Sequence, residues 1–246
     1  TETEGDSVYR GLRSTCESFQ GMRFLPLPAS ETEVEEVAAI WQSFGASEPV
    51  TTLFRGDALE ASFKRIAAGR QVLHLSTHGF YLGADCPVYE FSDQRGAGVA
   101  MESPLLRSGL AFAGANHRQA ALPSEDDGIL TAEEVSAIDL LGVDWAVLSA
   151  CESGLGDVQT GEGVFGLRRA FTAAGARTLI MSLWPVDDDI TRDWMSRLYS
   201  HRFVDGLSTI KAVHRANLDL LAARREAGES THPFYWAGFV AVGDWR

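Results

Sequence analysis

The sequence is poor in cysteine and in long apolar runs, and each shortage excludes a class of protein. Only three cysteines occur among 246 residues, far apart and without a C-x-x-C pair. Neither a disulfide framework nor a zinc site is therefore indicated. No uncharged apolar run reaches the roughly 18 to 20 residues that a membrane span requires. This composition favours a reducing, cytoplasmic setting and no membrane partner.

Basic residues are also scarce relative to acidic ones. The chain has 21 Lys and Arg against 34 Asp and Glu, which gives a formal net charge of −13. Because this charge repels phosphate backbones and anionic lipids, nucleic acid is not expected as a direct partner. The N-terminal T-E-T-E-G-D has no initiator methionine and no basic leader. We expect a piece of a longer protein.

Short apolar strands alternate with amphipathic helices along most of the chain. Ser30 with Glu33 and Thr131 with Glu134 have the spacing of capping boxes, and Asp57 is a predicted helix cap. The alternation predicts an α/β fold, a three-layer sandwich in which helices cover both faces of a mostly parallel sheet. We predict strands at residues 23–27, 50–54, 71–76, 143–150, 177–183 and 234–242, and helices at residues 30–44, 57–67, 163–174, 187–200 and 206–225.

Two stretches depart from this alternation. Residues 1–21 are polar and mixed, and we interpret them as a tail or the end of an upstream element before a single domain at residues 22–246. Residues 81–124 form an insertion rich in glycine, proline and charge, in which residues 109–115 could pair at a sheet edge or cover the site. An insertion of this kind is a place for a lid, a specificity loop or a processing site.

Two predicted strands end on residues that are typical of thiol catalysis. The strand at residues 143–150 leads into Cys151, and the strand at residues 71–76 is followed by His78 and a glycine. If these strands are parallel neighbours, about 4.8 Å apart, their carboxyl ends meet at one edge of the sheet. An imidazole there favours the thiolate, and backbone N–H groups of the following loop can hold a developing oxyanion. We predict a catalytic pair of His78 and Cys151.

Each residue of the pair also has an ordinary structural interpretation. Taken singly, Cys151 could be a small buried apolar residue and His78 a hydrogen-bonded core histidine. Because both residues follow the ends of strands, a catalytic role is favoured over a structural one. His74 lies about 13 Å from His78 along a strand, too far to share one ion, so we expect a packed or hydrogen-bonded His74 and no metal site.

A glycine-rich stretch at residues 161–166, G-E-G-V-F-G, has the letter pattern of a dinucleotide-binding loop. That fingerprint requires its first glycine to follow a strand directly, and here a loop that contains Cys151 intervenes. We therefore expect these glycines to allow a tight loop and close helix packing, and we expect no cofactor.

An acidic stretch, W-P-V-D-D-D at residues 184–189, follows another strand that is predicted to share the sheet. One interpretation is a helix cap, since Asp187 or Asp188 would begin the next helix, where carboxylates are favoured. Another is that one of the three carboxylates binds a cationic group at the carboxyl edge of the sheet.

At these positions the sequence resembles the CHAT family, caspase-like cysteine proteases that are often fused to tetratricopeptide repeats. The resemblance covers about residues 25–243. It implies a caspase-like fold, peptide-bond hydrolysis through an acyl-enzyme, and an upstream sensor module or an activating partner. It is carried by H-L-S-T-H-G-F-Y-L, S-P-L-L-R-S-G-L-A-F-A-G-A-N, D-G-I-L-T-A-E-E-V, L-S-A-C-E-S-G-L-G, G-E-G-V-F-G-L-R-R-A-F-T-A-A-G-A-R-T-L-I-M-S-L-W-P-V-D-D and H-P-F-Y-W-A-G-F-V.

The resemblance also implies roles for single residues. His78 and Cys151 match the family's dyad, and the backbone N–H groups of Gly79 and Cys151 match its oxyanion hole. Ser149 matches a position that lines the pocket for P1, the substrate residue before the scissile bond. Residues 184–189 resemble the separase segment whose aspartate binds a P1 arginine.

The expected function is cleavage of a protein substrate after Arg or Lys, with Trp184, Asp187 and Asp189 as further candidate pocket residues. No arginine occurs in residues 184–189, which argues against the P1 aspartate preference of caspases. Two alternatives stay open. The domain could be a latent or inactive binding scaffold that requires a partner, or a thiol acyltransferase or esterase with the same dyad.

Overall fold

The computed structural model describes residues 17–45, 49–82, 90–91, 98–99, 104–122, 125–150 and 162–244. The helices are α1 (Glu17–Gly21), α2 (Ser30–Ser43), α3 (Glu60–Ile66), α4 (Ala132–Ser136), α5 (Glu162–Ala174), α6 (Asp188–Tyr199) and α7 (Thr209–Glu226). The strands are β1 (Val72–Ser76), β2 (His78–Tyr81), β3 (Glu90–Phe91), β4 (Gly98–Val99), β5 (Ser108–Ala111), β6 (Ile129–Thr131), β7 (Trp145–Ser149), β8 (Thr178–Ser182) and β9 (Phe239–Gly243). No described helix is both long and apolar enough to cross a membrane.

The main sheet has the strand order β1-β7-β8-β9. The first three strands are parallel, and β9 closes one edge in the antiparallel direction. These strands are short and almost continuously apolar, as expected for a sheet that is buried on both faces. The structure thus confirms the predicted α/β class and its mostly parallel central sheet.

Alternate residues of the main sheet pack into two separate cores, because successive side chains of a strand point to opposite faces. On one face, Leu73, Leu148 and Met181 pack with α3, α4 and α5. On the other face, Val147 and Ile180 pack with α2, α6 and α7. The helices therefore form the two outer layers of a three-layer sandwich.

A second, smaller sheet of strand order β2-β5-β6 is antiparallel and lies beside the first. The chain passes from one sheet to the other at Thr77, between β1 and β2. The stretch at residues 109–115, predicted to pair at an edge or to cover the site, contributes β5 to this sheet. Leu110 and Leu130 from the small sheet join the core on the α5 side.

Several local predictions fail at the start of the chain. Residues 23–27 and 50–54 form no strand; in the first of these segments Pro26 lacks the N–H that a ladder needs. The capping box predicted for Ser30 and Glu33 is also wrong. The Ser30 hydroxyl donates to Leu27 O at 2.8 Å, and no side chain caps α2.

The two other predicted helix starts differ in outcome. Asp57 lies in a short 3-10 turn, and α3 begins three residues later at Glu60 without a side-chain cap, so the predicted Asp57 cap is wrong. The capping box of Thr131 and Glu134 is confirmed. The Glu134 N–H donates to Thr131 Oγ1 at 3.2 Å and the Thr131 N–H donates to Glu134 Oε2 at 2.9 Å.

A buried ammonium group ties α3 to α4 and to the loop before β6. Lys64 Nζ lies 2.6 Å from Glu60, 2.8 Å from Glu134 and 3.0 Å from Asp126, and its side chain is 1% exposed. The three carboxylates are close enough to suggest a metal site, but the Lys64 ammonium already occupies the position of a cation. Burial, with repulsion from Glu134, raises the pKa of Glu60 to about 8.

We expect Glu60→Gln to change how stability depends on pH. The Glu60 carboxyl keeps its proton up to about pH 8 in the folded chain and loses it near pH 4.5 when unfolded. Its contribution to the free energy of unfolding is therefore complete below pH 4.5 and is lost as the pH rises to about 8, with a slope of up to about 1.4 kcal/mol per pH unit. Urea unfolding across this range should show a flatter pH profile for Glu60→Gln than for wild type.

The control for this measurement is Glu35→Gln, which removes an exposed carboxylate of α2. Its profile should follow that of wild type. Identical pH slopes for wild type and Glu60→Gln would contradict the proposed protonation of the buried cluster.

Candidate functional site

The carboxyl ends of β1 and β7 lie side by side. Ser76 is the partner of Ser149 in the parallel register, and the Thr77 N–H donates to Ser149 O at 3.2 Å. His78 and residue 151 are each two positions beyond this last pair. Cys151 itself lies outside the described residues, so the geometry of the site is built from the residues around it.

His78 is held by the backbone of a distant segment. Its Nε2 lies 2.5 Å from Leu25 O, and its ring packs on Phe24 with the ring centroids 5.7 Å apart. Because a carbonyl oxygen can only accept, Nε2 carries the proton of the neutral ring. The lone pair of a neutral His78 is therefore on Nδ1.

Two polar side chains fix the segment that supplies this carbonyl. The Asn116 side chain accepts from the Phe24 N–H and donates to Phe24 O, both at 2.9 Å. Buried Arg118 donates to Phe19 O, Gln20 O and Met22 O. The sequence did not indicate a role for Asn116 or Arg118. Nor did it indicate Leu25, which contributes only its backbone carbonyl, a group that every residue carries.

Gly79 and Ser149 are both buried at this edge. Gly79 is the second residue of β2 and is paired with Leu110, and Ser149 is the last residue of β7 with 6% of its surface exposed. Thr77, between the two sheets, donates its hydroxyl to Ala111 O. The carboxyl ends of β1 and β7 and the start of β2 therefore lie in one place.

Trp184 lies at the same edge, one strand further along. β7 and β8 are paired with Leu148 opposite Met181, and Trp184 follows this last pair by three residues. The Trp184 indole N–H donates to Phe234 O at 2.9 Å, and its ring stacks on Phe234 at a centroid distance of 6.3 Å. Gly238 allows a close approach here, because a Cβ at this position would lie 2.8 Å from Val186 Cγ2 and 3.3 Å from Trp184 Nε1 and would displace these side chains.

The three aspartates before α6 differ in what they bind. Asp187 is the N-cap and accepts from the backbone N–H groups of Asp189 and Ile190 at 3.0 and 3.4 Å, as the capping interpretation predicts. Asp188 accepts from the Ala29 N–H at 2.9 Å and so anchors the start of α2. The Asp189 side chain is exposed and has no hydrogen bond or ion pair with the described residues.

His74 is a structural residue, as expected from its position on a strand. Its Nε2 lies 2.9 Å from Glu33 Oε1, and its Nδ1 lies 3.0 Å from the Tyr199 hydroxyl. Burial and the nearby Glu33 carboxylate raise the pKa of the Tyr199 hydroxyl. Both ring nitrogens of His74 are therefore engaged in hydrogen bonds that link β1 to α2 and α6.

We expect NMR of the imidazole nitrogens to show His78 as the Nε2–H tautomer, at a pH where the ring is neutral. The Leu25 carbonyl stabilises this form by accepting the Nε2 proton. His214, exposed on α7, is the control and should show a mixture of tautomers. A His78 ring protonated mainly at Nδ1 would contradict the arrangement described above.

Comparison with known proteins supports the resemblance that the motifs suggest. The profile of the CHAT domain matches residues 5–244. Human tetratricopeptide repeat protein 28 is 34% identical over 122 residues, which is 49% of this chain and 5% of that protein. The mouse protein of the same name is 33% identical over 116 residues, which is 47% of this chain and 4% of its own length.

The chain thus spans only about a twentieth of the length of these two relatives. The family match, in contrast, extends over nearly all of its residues. With its three-layer α/β architecture and mostly parallel sheet, the chain belongs to the CHAT domain family, whose fold is caspase-like.

Proposed function

We propose that this domain is a cysteine endopeptidase with Cys151 as nucleophile and His78 as the acid and base. The observation that supports the proposal is the register of β1 and β7, because their last pair, Ser76 and Ser149, precedes His78 and Cys151 by the same number of residues in the sequence. The hydrogen bond from His78 to Leu25 O adds support, because it leaves Nδ1 available to exchange a proton with a thiol.

The chemistry proceeds through a thioester. The Cys151 thiol gives its proton to His78 Nδ1, and the sulfur attacks the carbonyl carbon of the scissile bond, while the electrons of the C=O bond move to oxygen. The N–H groups of Gly79 and Cys151 would hold this oxyanion. As the C–N bond breaks, Nδ1 returns the proton to the leaving amine.

A water molecule completes the cycle. It gives one proton to Nδ1 and attacks the thioester carbon, so that a carboxylic acid is released. The Cys151 sulfur leaves and recovers its proton from His78. The Leu25 carbonyl keeps the ring in one orientation through both steps.

For substrate choice, we propose that Asp189 binds the basic P1 side chain beside Ser149 and Trp184. Asp187 and Asp188 are both engaged at the start of a helix, whereas the Asp189 carboxylate has no such contact among the described residues. Asp187 contributes by capping α6 and so positioning Asp189.

We expect fluorogenic peptides with P1 Arg or Lys to be cleaved with a higher kcat/KM than those with P1 Leu or Asp. Cys151→Ala should reduce turnover to background, since it removes the sulfur on which the proposed thioester forms. His78→Ala should lower kcat by roughly 10²–10⁴-fold, the usual contribution of general acid and base catalysis. Cys86→Ala is the matched control and should keep wild-type turnover.

If Cys151→Ala still cleaved the peptides, Cys151 could not be the nucleophile. If the wild type cleaved P1 Asp peptides faster than P1 Arg or Lys peptides, the acidic residues could not form the P1 pocket. Labelling with a P1 Arg chloromethylketone separates the endopeptidase from the latent scaffold. Rapid modification confined to Cys151 supports an assembled site, whereas modification that requires an added partner supports latency.

A second set of variants tests the pocket. Asp189→Asn should lower kcat/KM for P1 Arg by about 10- to 100-fold, the effect of losing a hydrogen bond to a charged group, with little change for P1 Leu. Asp188→Asn is the matched control, because an amide oxygen can still accept from the Ala29 N–H. Equal losses for P1 Arg and P1 Leu in Asp189→Asn would show a structural defect and contradict the assignment.

A further inference from the structure

The two peptide carbonyls that precede residue 151 both accept hydrogen bonds. Ser149 O accepts from the Thr77 N–H, just beyond β1, at 3.2 Å. Ala150 O accepts from the hydroxyl of Ser182, the last residue of β8, at 3.1 Å. The first bond joins two main chains, whereas the second depends on a side chain. A single substitution at Ser182 can therefore remove the bond that holds the Ala150 carbonyl.

Ser182 holds this carbonyl from a fixed position in the main sheet. The ladder between β7 and β8 ends with Leu148 opposite Met181, so Ala150 lies beyond it. Ser182 itself is paired with Phe239 of β9, and only 5% of its surface is exposed. Its backbone is therefore fixed by the sheet, and water has little access to its hydroxyl. The Ser182 hydroxyl thus links a rigid strand to a residue that the backbone ladder of β7 and β8 does not reach.

The Ala150 carbonyl belongs to the same peptide unit as the N–H of Cys151, one of the two donors that the proposed mechanism assigns to the oxyanion. A peptide unit is planar and trans, so its C=O and its N–H point in opposite directions. A hydrogen bond that fixes the direction of the carbonyl therefore fixes the direction of the N–H as well. Such a bond also polarises the peptide unit, which makes the N–H a stronger donor.

The other donor assigned to the oxyanion, the Gly79 N–H, is oriented by main-chain groups of the small sheet. The Leu82 N–H donates to Arg107 O at 2.7 Å, and in an antiparallel ladder bonded and non-bonded pairs alternate. The pair of His78 and Ala111 is therefore bonded, and His78 O accepts from β5. Because His78 O and the Gly79 N–H belong to one peptide unit, the Gly79 N–H points away from β5.

We propose that Ser182 is a positioning residue of the oxyanion hole, which directs the Cys151 N–H by holding the Ala150 carbonyl of the same peptide unit. This role rests on the proposed function. Ser182 acts through Ala150 and not through contact with the substrate. Its contribution appears when the carbonyl oxygen of the substrate carries negative charge. Binding of the uncharged substrate and the reactivity of the thiol do not depend on it.

The first test is kinetic. Ser182→Ala should lower kcat for P1 Arg peptides by roughly tenfold, less than the about 10²–10³-fold that loss of a whole oxyanion donor costs, with KM nearly unchanged. Alkylation of Cys151 by iodoacetamide, followed by mass spectrometry, should keep its wild-type rate and pH dependence, because this reaction forms no oxyanion. If alkylation slowed together with kcat, the substitution would have damaged the thiol and its histidine, and the role of Ser182 would be overturned.

Thr178→Val is the matched control variant. The Thr178 hydroxyl donates to Asp244 O and Thr178 is also buried, so this change removes the same kind of bond from the opposite end of β8. It should keep the wild-type kcat. Ser182→Thr retains a hydroxyl and should keep most of the wild-type kcat as well. An equal loss of kcat in Thr178→Val would show a general weakening of β8 and would contradict the proposed role.

An NMR measurement tests the hydrogen bond without any catalysis. Residues 150 and 151 form the only Ala-Cys pair in the sequence, so ¹³C in the alanine carbonyls and ¹⁵N in the cysteine amides give one carbonyl–amide signal. In Ser182→Ala the Ala150 carbonyl carbon should move to lower frequency, because it loses a hydrogen bond, whereas in Thr178→Val it should not move.

The two measurements separate the role of Ser182 from the proposed function. An unchanged carbonyl signal in Ser182→Ala, or a shifted signal with a wild-type kcat, would overturn the role of Ser182 and leave the endopeptidase intact. A wild-type protein that cleaves no peptide would contradict the proposed function and, with it, this role.

Discussion

The parallel register of β1 and β7 is the constraint on which the rest of the site depends. A shift of one residue would exchange the two faces of β1. Leu73 would then leave the core formed with α5, and His74 would leave Glu33 and Tyr199. The contacts that fix the core therefore also fix how far His78 extends beyond the strand, and the alignment of the site follows from ordinary packing.

Two buried polar clusters add specificity to this packing. Lys64 joins three carboxyl groups, and His74 joins Glu33 to Tyr199. Burying such groups removes them from water, so their net contribution to stability is small even when they are well paired. Each pairing is satisfied in only one arrangement of the helices on the sheet. The His74 cluster ties β1 to α2 and α6.

Much of this architecture could be predicted from the sequence, because the central strands are apolar runs bounded by glycine and by capping residues. The box at Thr131 and Glu134 shows the strength of such local signals. Glu33 shows their limit, since its spacing from Ser30 suggests a cap whereas its carboxylate is used by His74, 41 residues away. A long-range partner of this kind leaves no local trace.

The same limit applies to the candidate site. The strand ends that carry His78, Ser149 and Trp184 could be predicted, because in a parallel sheet the carboxyl ends of neighbouring strands coincide. The Leu25 carbonyl could not be predicted, since its position depends on how Asn116 and Arg118 hold residues 19–24. The sequence also could not show that residues 50–54 form no strand, because strand-like residues do not specify which strand they would pair with.

The contacts around residues 19–25 have an evolutionary consequence. His78, Asn116 and Arg118 recognise this segment through main-chain atoms, which every amino acid carries. These contacts constrain the side chains of His78, Asn116 and Arg118 but not those of Gln20 and Leu25, which are exposed. Met22, in contrast, packs against the buried cluster of Phe19, Phe24 and Phe80. Related chains can therefore differ at these two exposed positions and still hold the histidine in the same orientation, whereas Phe19 and Phe24 are constrained by their ring contacts with Phe80 and His78.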